Sequence, residues 1–440
     1  MKRSVFKNAG WIIGCKIAQS ILSLIIGLIT ARYLGPSNYG IISYVASVVA
    51  FAVPIMQLGL KDILVKEFVK NPDKEGVILG TSMMLNIISS IFCMIGSISF
   101  VMISNAGENT TILVCVLYSF TLLFNATEMT QYWFQSKLMS KYPSLAVLIA
   151  YVVVAIYKVF LLVTQKSVLW FAFSNVLDYF LISVILIIIY KKVGGQRLSV
   201  DWKIGKALLS RSKYYIIPSL MVMVFHHTDR IMIKLMIGEK ETGFYSAAIT
   251  CIGVTAFVFS AVIDSARPII LEEKERNQEL YEKRVIQLYS VITCLSLAQS
   301  IGMTLLAKPI VLLLYGSEFS SSIVILAVAV WYITFGYYGS VRNIWILAEN
   351  KQKYLLIINI SGAIANVILN LCFIPFWGAV GAAVASIITQ FFTNVIVGFI
   401  VKPIRHNNYL MIKALNPKVA IGISCSVFKR FTKKRSKSIK

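Results

Sequence analysis

The chain has 440 residues, 58% of them hydrophobic and 14% charged, with a mean hydropathy of +0.76, which excludes a soluble globular class. Its formal net charge of +24 is not a nucleic-acid signature, because the basic residues gather in short segments between apolar stretches. Of the seven cysteines, all but Cys425 fall within apolar stretches and none forms a CxxC, so neither a disulfide framework nor a metal site is indicated.

A helical membrane span needs roughly 20 apolar residues. The pattern predicts twelve, near 11–33, 40–60, 77–103, 112–134, 145–163, 168–190, 214–238, 243–264, 286–307, 321–347, 354–374 and 378–401. Lys2, Arg3 and Lys7 precede the first, but it is span-length and no small-residue cleavage site follows, so it reads as a retained helix. Within it Lys16, Ser20, Ser23, Gly27 and Thr30 recur at spacings of 4, 3, 4 and 3, a narrow polar stripe facing protein or water. The turn YLGPSNYG follows, with Gly35 suited to a left-handed helix end and Pro36 to a new start.

The fourth span carries Asn125, Glu128 and Gln131 along one side, the fifth has Lys158 near its outer end, where snorkelling would accommodate it, and the sixth has Asp178 near its middle, where snorkelling fails. The longest cytoplasmic loop, about Lys191 to Lys213, divides the spans six and six. The seventh span holds His226, His227, Asp229, Arg230 and Lys234, which at about 100° per residue share one side of a helix. Each ionised group near a bilayer centre costs about 2.5 to 3.5 kcal/mol on insertion scales. One Asp cannot neutralise both Arg230 and Lys234, so this side is expected to face an anion; an internally neutralised cluster is the plainer alternative.

The turn after it, MIGEKETG, repeats the first at an offset of 203: Gly35, Gly40 and Ser43 recur as Gly238, Gly243 and Ser246. Duplication after an even number of spans gives a parallel repeat about an axis along the membrane normal. ILEEKERNQELYEKR, from Ile270, pairs Glu272 with Arg276 and Glu279 with Lys283 at i,i+4 and reads as one cytoplasmic helix. Arg342, in the tenth span, lies close enough to the cytoplasmic end to snorkel. With the N-terminus inside, the outer loops hold only Arg32, Lys166, Lys240 and Lys308 of the 43 Lys and Arg, which places both termini in the cytoplasm. The domains expected are 1–205, a six-helix bundle with its linking loop; 206–405, a second bundle; and 406–440, a basic cytoplasmic tail that touches anionic lipid. The fold class is an all-α polytopic membrane protein, two parallel six-helix bundles around a central cavity.

No GxSxG, P-loop or HExxH occurs, and the outer loops are short. The chain is therefore not expected to be an enzyme.

Several stretches resemble the polysaccharide flippases, the Wzx-type members of the multidrug/oligosaccharidyl-lipid/polysaccharide exporter superfamily: ARYLGPSNYGIISYVASV at Ala31, QYWFQSKLMSKYPSLA at Gln131, TDRIMIKLMIGEKETGFYSAA at Thr228, LLLYGSEF at Leu312, and ILAENKQKYLLIINISGAIANVILNLCFIPFWGAVGAAVASIITQ at Ile346. Ser136 stands where members often have Gly, and the absence of a thirteenth and fourteenth span favours the twelve-span type. The resemblance implies translocation of an undecaprenyl-diphosphate-linked oligosaccharide, for O-antigen, capsule or a related glycan, to the outer leaflet of a bacterial plasma membrane. Arg230, Lys234, His227, Lys16 and Lys158 would hold the diphosphate; Asp229, His226, Asp178 and Glu128 would neutralise or couple to protons or another ion. No metal and no cofactor is expected. The expected partners are the lipid-linked oligosaccharide, membrane lipids and glycan polymerase machinery, without nucleic acid, and the working state is a monomer. The alternatives are a drug or cation antiporter of the same superfamily and, from another class, a membrane glycan polymerase, ligase or assembly scaffold.

Overall fold

The computed structural model describes residues 2–416, with side chains from Gly14 onward except Lys16 and Ile17. The basic tail from Lys429 lies outside the described residues. Among the described residues every regular element is helical: α1 (Lys2–Met56), α2 (Lys61–Lys70), α3 (Glu75–Ser104), α4 (Asn109–Asn125), α5 (Met129–Ser136), α6 (Lys141–Val163), α7 (Val168–Lys192), α8 (Trp202–Ser212), α9 (Ile216–Met236), α10 (Glu239–Gly253), α11 (Ala256–Arg276), α12 (Gln278–Leu305), α13 (Ala307–Tyr315), α14 (Ser322–Ala329), α15 (Tyr332–Ala348), α16 (Lys353–Phe391), α17 (Val397–Ile400) and α18 (Arg405–Ala414).

By length and composition, eight of the described helices can cross a membrane, or nine if the bent pair α10 and α11 is one span. Two of these are too long to be single spans. Each breaks at a glycine with positive φ, Gly35 in α1 (φ 70°) and Gly378 in α16 (φ 56°), backbone that side chains with a Cβ rarely adopt. Dividing them, and adding the 21-residue α9 with its polar cluster, gives twelve spans among the described residues, as the apolar pattern predicts. The chain is an all-α polytopic membrane protein.

Contacts separate the chain into Met1–Gly243 and Phe244–Lys440. In the first unit α1 packs on α6 and α9, and α4 packs on α3 and α7. Its apolar interior forms two clusters, one around Tyr44, Val101 and Phe171, the other around Phe68, Trp133 and Phe134. Because lipid competes equally for apolar surface, close packing rather than the hydrophobic effect holds such helices together. The division falls after α9 because α9 lies along α1. The boundary expected near 205 and 206 rests on the sequence repeat and not on contacts. In the second unit α12 packs on α11, α15 and α18, and α16 on α14 and α15, around Tyr281, Tyr289 and Trp345.

The repeated turns meet reciprocally within the first unit. A Cβ on Gly40 would run into the backbone carbonyl of Glu239, and one on Gly243 into that of Pro36. The same position in each copy thus seats the other copy's turn, the contact pattern of a local two-fold axis. The offset of 203 is therefore visible as geometry.

One sequence expectation about the helices needs correction. The segment from Ile270 is not one helix: Asn277 adopts extended backbone (φ −153°, ψ 110°), ending α11 and capping α12 by accepting from the Leu280 N–H at 2.9 Å. Asn caps better than it propagates. The Glu272–Arg276 pair survives at 2.8 Å, at the end of α11. The long central loop contains α8, started by Asp201, whose side chain accepts from Lys203 and Ile204 N–H.

Candidate functional site

The polar face of α9 is divided by its neighbours. Thr228 and Asp229 are buried, Arg230 and His227 are half-buried, and His226 is exposed. Arg230 Nη1 donates to the His226 carbonyl at 3.0 Å, which folds its stem back along the helix. His227 Nδ1 lies 3.2 Å from Ser47 Oγ. Ser47 donates to the Ser43 carbonyl at 2.7 Å, so the imidazole N–H is the donor toward Ser47.

Lys234 has a different environment from the one its sequence suggests. Its ammonium is held by both carboxylate oxygens of Glu108, at 2.8 and 2.7 Å, and by Glu239 at 3.1 Å. Glu108 in turn accepts from Thr111 Oγ1 at 2.7 Å and Asn105 Nδ2 at 3.4 Å, and Asn105 accepts from the Tyr44 hydroxyl at 2.7 Å. Burial pushes the Glu108 carboxyl up, but hydrogen bonds from Lys234, Thr111 and Asn105 and the Lys234 charge outweigh it and hold the group below its ordinary range. Two carboxylates, Glu108 just before α4 and Glu239 at the start of α10, therefore neutralise Lys234. This corrects the charge argument: with Lys234 answered by Glu108 and Glu239, Arg230 and Asp229 remain as one cation and one anion, and Lys234 is an ion-paired tie between helices.

Lys158 also leaves the group to which the resemblance assigns it. It is half-buried, and Asp178 of α7 is its electrostatic partner. Asp178 also acts on Glu128, in the 3-10 turn Ala126–Glu128 between α4 and α5, and on Tyr118, Tyr151 and Tyr179. Tyr151 has Ser23 of the first span as a polar neighbour. One Asp178 oxygen is buried without a hydrogen-bond partner. The structure thus brings Lys158, Asp178 and Glu128 together, and separately Arg230, His227 and His226. The Lys16 side chain lies outside the described residues. No group of His, Cys, Asp and Glu among the described residues could hold a metal ion.

One basic residue was misjudged from sequence. Arg342 is 3% exposed and donates from Nη1 to the Thr393 carbonyl at 3.0 Å, so it turns into the second unit instead of snorkelling. The signal that could have found it is the density of Thr and Asn at 389–394 and 407–408, polar residues placed to face a buried cation.

A family model described as "Polysaccharide biosynthesis protein" matches residues 5–272. No curated protein matches the chain in sequence. Among solved structures, the lipid II flippase MurJ in an inward closed conformation aligns with a TM-score of 0.73 at 14% identity, covering 97% of this chain and 99% of that one. An inward-facing multidrug resistance MATE family transporter of the MOP superfamily aligns with a TM-score of 0.72 at 14% identity, covering 89% and 95%. An outward-facing MATE transporter of that superfamily gives 0.61 at 16% identity, covering 93% and 96%. At these identities the likeness shows the fold, that of MOP-superfamily transporters.

Proposed function

The chain belongs to the polysaccharide biosynthesis protein family, and from that premise we propose that it is a flippase carrying an undecaprenyl-diphosphate-linked oligosaccharide from the inner to the outer leaflet of a bacterial plasma membrane, with both termini cytoplasmic. The observation that supports this most is Arg230, a half-buried guanidinium on a membrane-length helix, in a fold shared with a lipid II flippase. A guanidinium there is costly unless it meets water, protein or an anionic ligand, and its fork matches a diphosphate by charge-assisted hydrogen bonds. His227 and Lys16 would assist. Lys234 would keep its tie to Glu108 and Glu239, and Lys158 would stay within the electrostatic reach of Asp178.

Translocation would proceed by alternating access, the polyprenyl tail staying in lipid. At about 2.3 kcal/mol per charge per 100 mV, an inside-negative potential favours moving a dianion outward by roughly 4 to 5 kcal/mol. Asp178 and Glu128, drawn together in the first unit, are the candidates for proton coupling or for resetting the empty carrier. O-antigen, capsule or a similar surface glycan would be the product, with polymerase machinery downstream.

Deleting the chain should make a lipid-linked oligosaccharide accumulate on the cytoplasmic leaflet, relieved by the wild type and not by Arg230→Ala. Arg230→Lys separates roles: retained transport means a point charge suffices, lost transport means forked recognition. A second reading, a drug or cation antiporter, draws support from the same acidic pair, Asp178 and Glu128. Drug susceptibility on deletion, without glycan-lipid accumulation, would establish it and remove the flippase.

A further inference from the structure

In the second unit, Arg342 of α15 is buried with one hydrogen-bond partner, the Thr393 carbonyl. That carbonyl belongs to the π-helical stretch Phe392–Ile396, a wide turn of the kind that often marks functional sites. Among the described residues no carboxylate is bonded to Arg342, and the neighbour that acts on it electrostatically is Tyr289 of α12. The Tyr289 hydroxyl is committed to Asn407 Oδ1 at 2.8 Å and at neutral pH is a dipole, not a counter-charge. Residues 1–13 and 417–440 contain no Asp or Glu.

A buried guanidinium without a counter-ion is among the costliest arrangements in a protein. Here it is accompanied by further unanswered groups: Arg342 Nε, Thr393 Oγ1 and Asn407 Nδ2 are all buried without a partner. All three can donate. A hydrophobic core evolves away such a set, whereas an anion site needs it. The Nε edge of the fork suits two oxygens of a tetrahedral oxyanion, and a hydroxyl and an amide add single donors. We propose that Arg342, Thr393 and Asn407 form an anion-binding site in the C-terminal unit, distinct from Arg230, that takes one phosphate group. That group could be an inorganic phosphate or the phosphate of a lipid headgroup. The site does not depend on the flippase reading, since phosphate binding at Arg342 is measurable whatever the chain transports.

The test uses the full chain, purified in a phosphate-free, uncharged detergent, with thermal unfolding as the readout. Inorganic phosphate is titrated against chloride at matched ionic strength, and in a second arm micelles are doped with phosphatidylglycerol. Wild type should gain about 3 °C or more at saturation, and Arg342→Met should lose the gain. A response to inorganic phosphate identifies a soluble ligand; a response to phosphatidylglycerol alone identifies a headgroup. Thr393→Val, which keeps the charge and removes one donor, should weaken the response several-fold if Arg342→Met does not fold. Asn407→Asp, which puts a carboxylate beside the Tyr289 hydroxyl, should raise the starting midpoint and blunt the response. No phosphate-specific gain in wild type, or equal gains in wild type and Thr393→Val, overturns the site.

Discussion

Lys234 and Arg342 are equally buried, 4% and 3% exposed, yet the protein treats their charges in opposite ways. Lys234 sits where α9 approaches the residue before α4 and the first turn of α10, and two carboxylates close on it. Arg342 sits among hydroxyls, amides and a backbone carbonyl, with polar atoms left over. A buried ion with its counter-ions is a structural tie, while a buried ion lacking them is a binding site in waiting. Burial alone does not separate the two; the identity of the surrounding oxygens does.

The sharpest way to break this comparison is to remove the counter-ions. Glu108→Gln with Glu239→Gln leaves the Lys234 ammonium buried without a carboxylate, and stability should fall by about 3 to 5 kcal/mol. The reading is the denaturant midpoint in detergent, and an unchanged midpoint would show that the tie is dispensable. Substituting the cations themselves should give opposite signs. Lys234→Met strands two carboxylates that are each about two-fifths exposed, at 42% and 41%, so the loss should be milder, about 1 to 2 kcal/mol. Arg342→Met removes an ion that has no partner carboxylate among the described residues and should be neutral or stabilising in phosphate-free detergent. Equal losses for the two Met variants would sink the distinction.

Next in size is the reciprocal turn contact beside Lys234. Gly40→Ala or Gly243→Ala pushes a methyl into a backbone carbonyl and should cost about 1 to 3 kcal/mol. Because each strains the same contact, the double variant should lose less than the sum of the singles. Full additivity would mean that the two turns do not share an interface.

The spans and the repeated turns were legible in the sequence because they follow from local rules: about 20 apolar residues make a span, and Gly with Pro breaks a helix at Gly35. The environment of the charges was not, for two physical reasons. Lys234 meets Glu108 across 126 residues and Glu239 across a helix break, where helical spacing rules do not reach. Arg342 was judged by its distance along the chain from the membrane surface, whereas its direction is set by the π-helical turn that offers the Thr393 carbonyl. Lys158 likewise has an electrostatic neighbour, Asp178 on α7, that sequence distance hid. Polar residues in facing segments, taken together, were the better signal.

The smallest expected effect tests the Lys234 tie by pH. The Glu108 carboxyl titrates below its ordinary value in the folded protein, so between the folded and unfolded values the unfolded chain binds more protons, and stability rises with pH there. The contribution is complete above about pH 4.3, the ordinary glutamate value, and is lost as pH falls through the lowered folded one. Solvent screens a carboxylate that is 42% exposed, so the span of the effect should stay below about 1 kcal/mol. Comparing unfolding midpoints between pH 6 and pH 3 for wild type and Glu108→Gln isolates it, since the variant removes this carboxyl and leaves every other titrating group in place. Wild type should lose more than the variant over that range, and high salt should shrink the difference. Parallel profiles would mean that Glu239 alone answers Lys234.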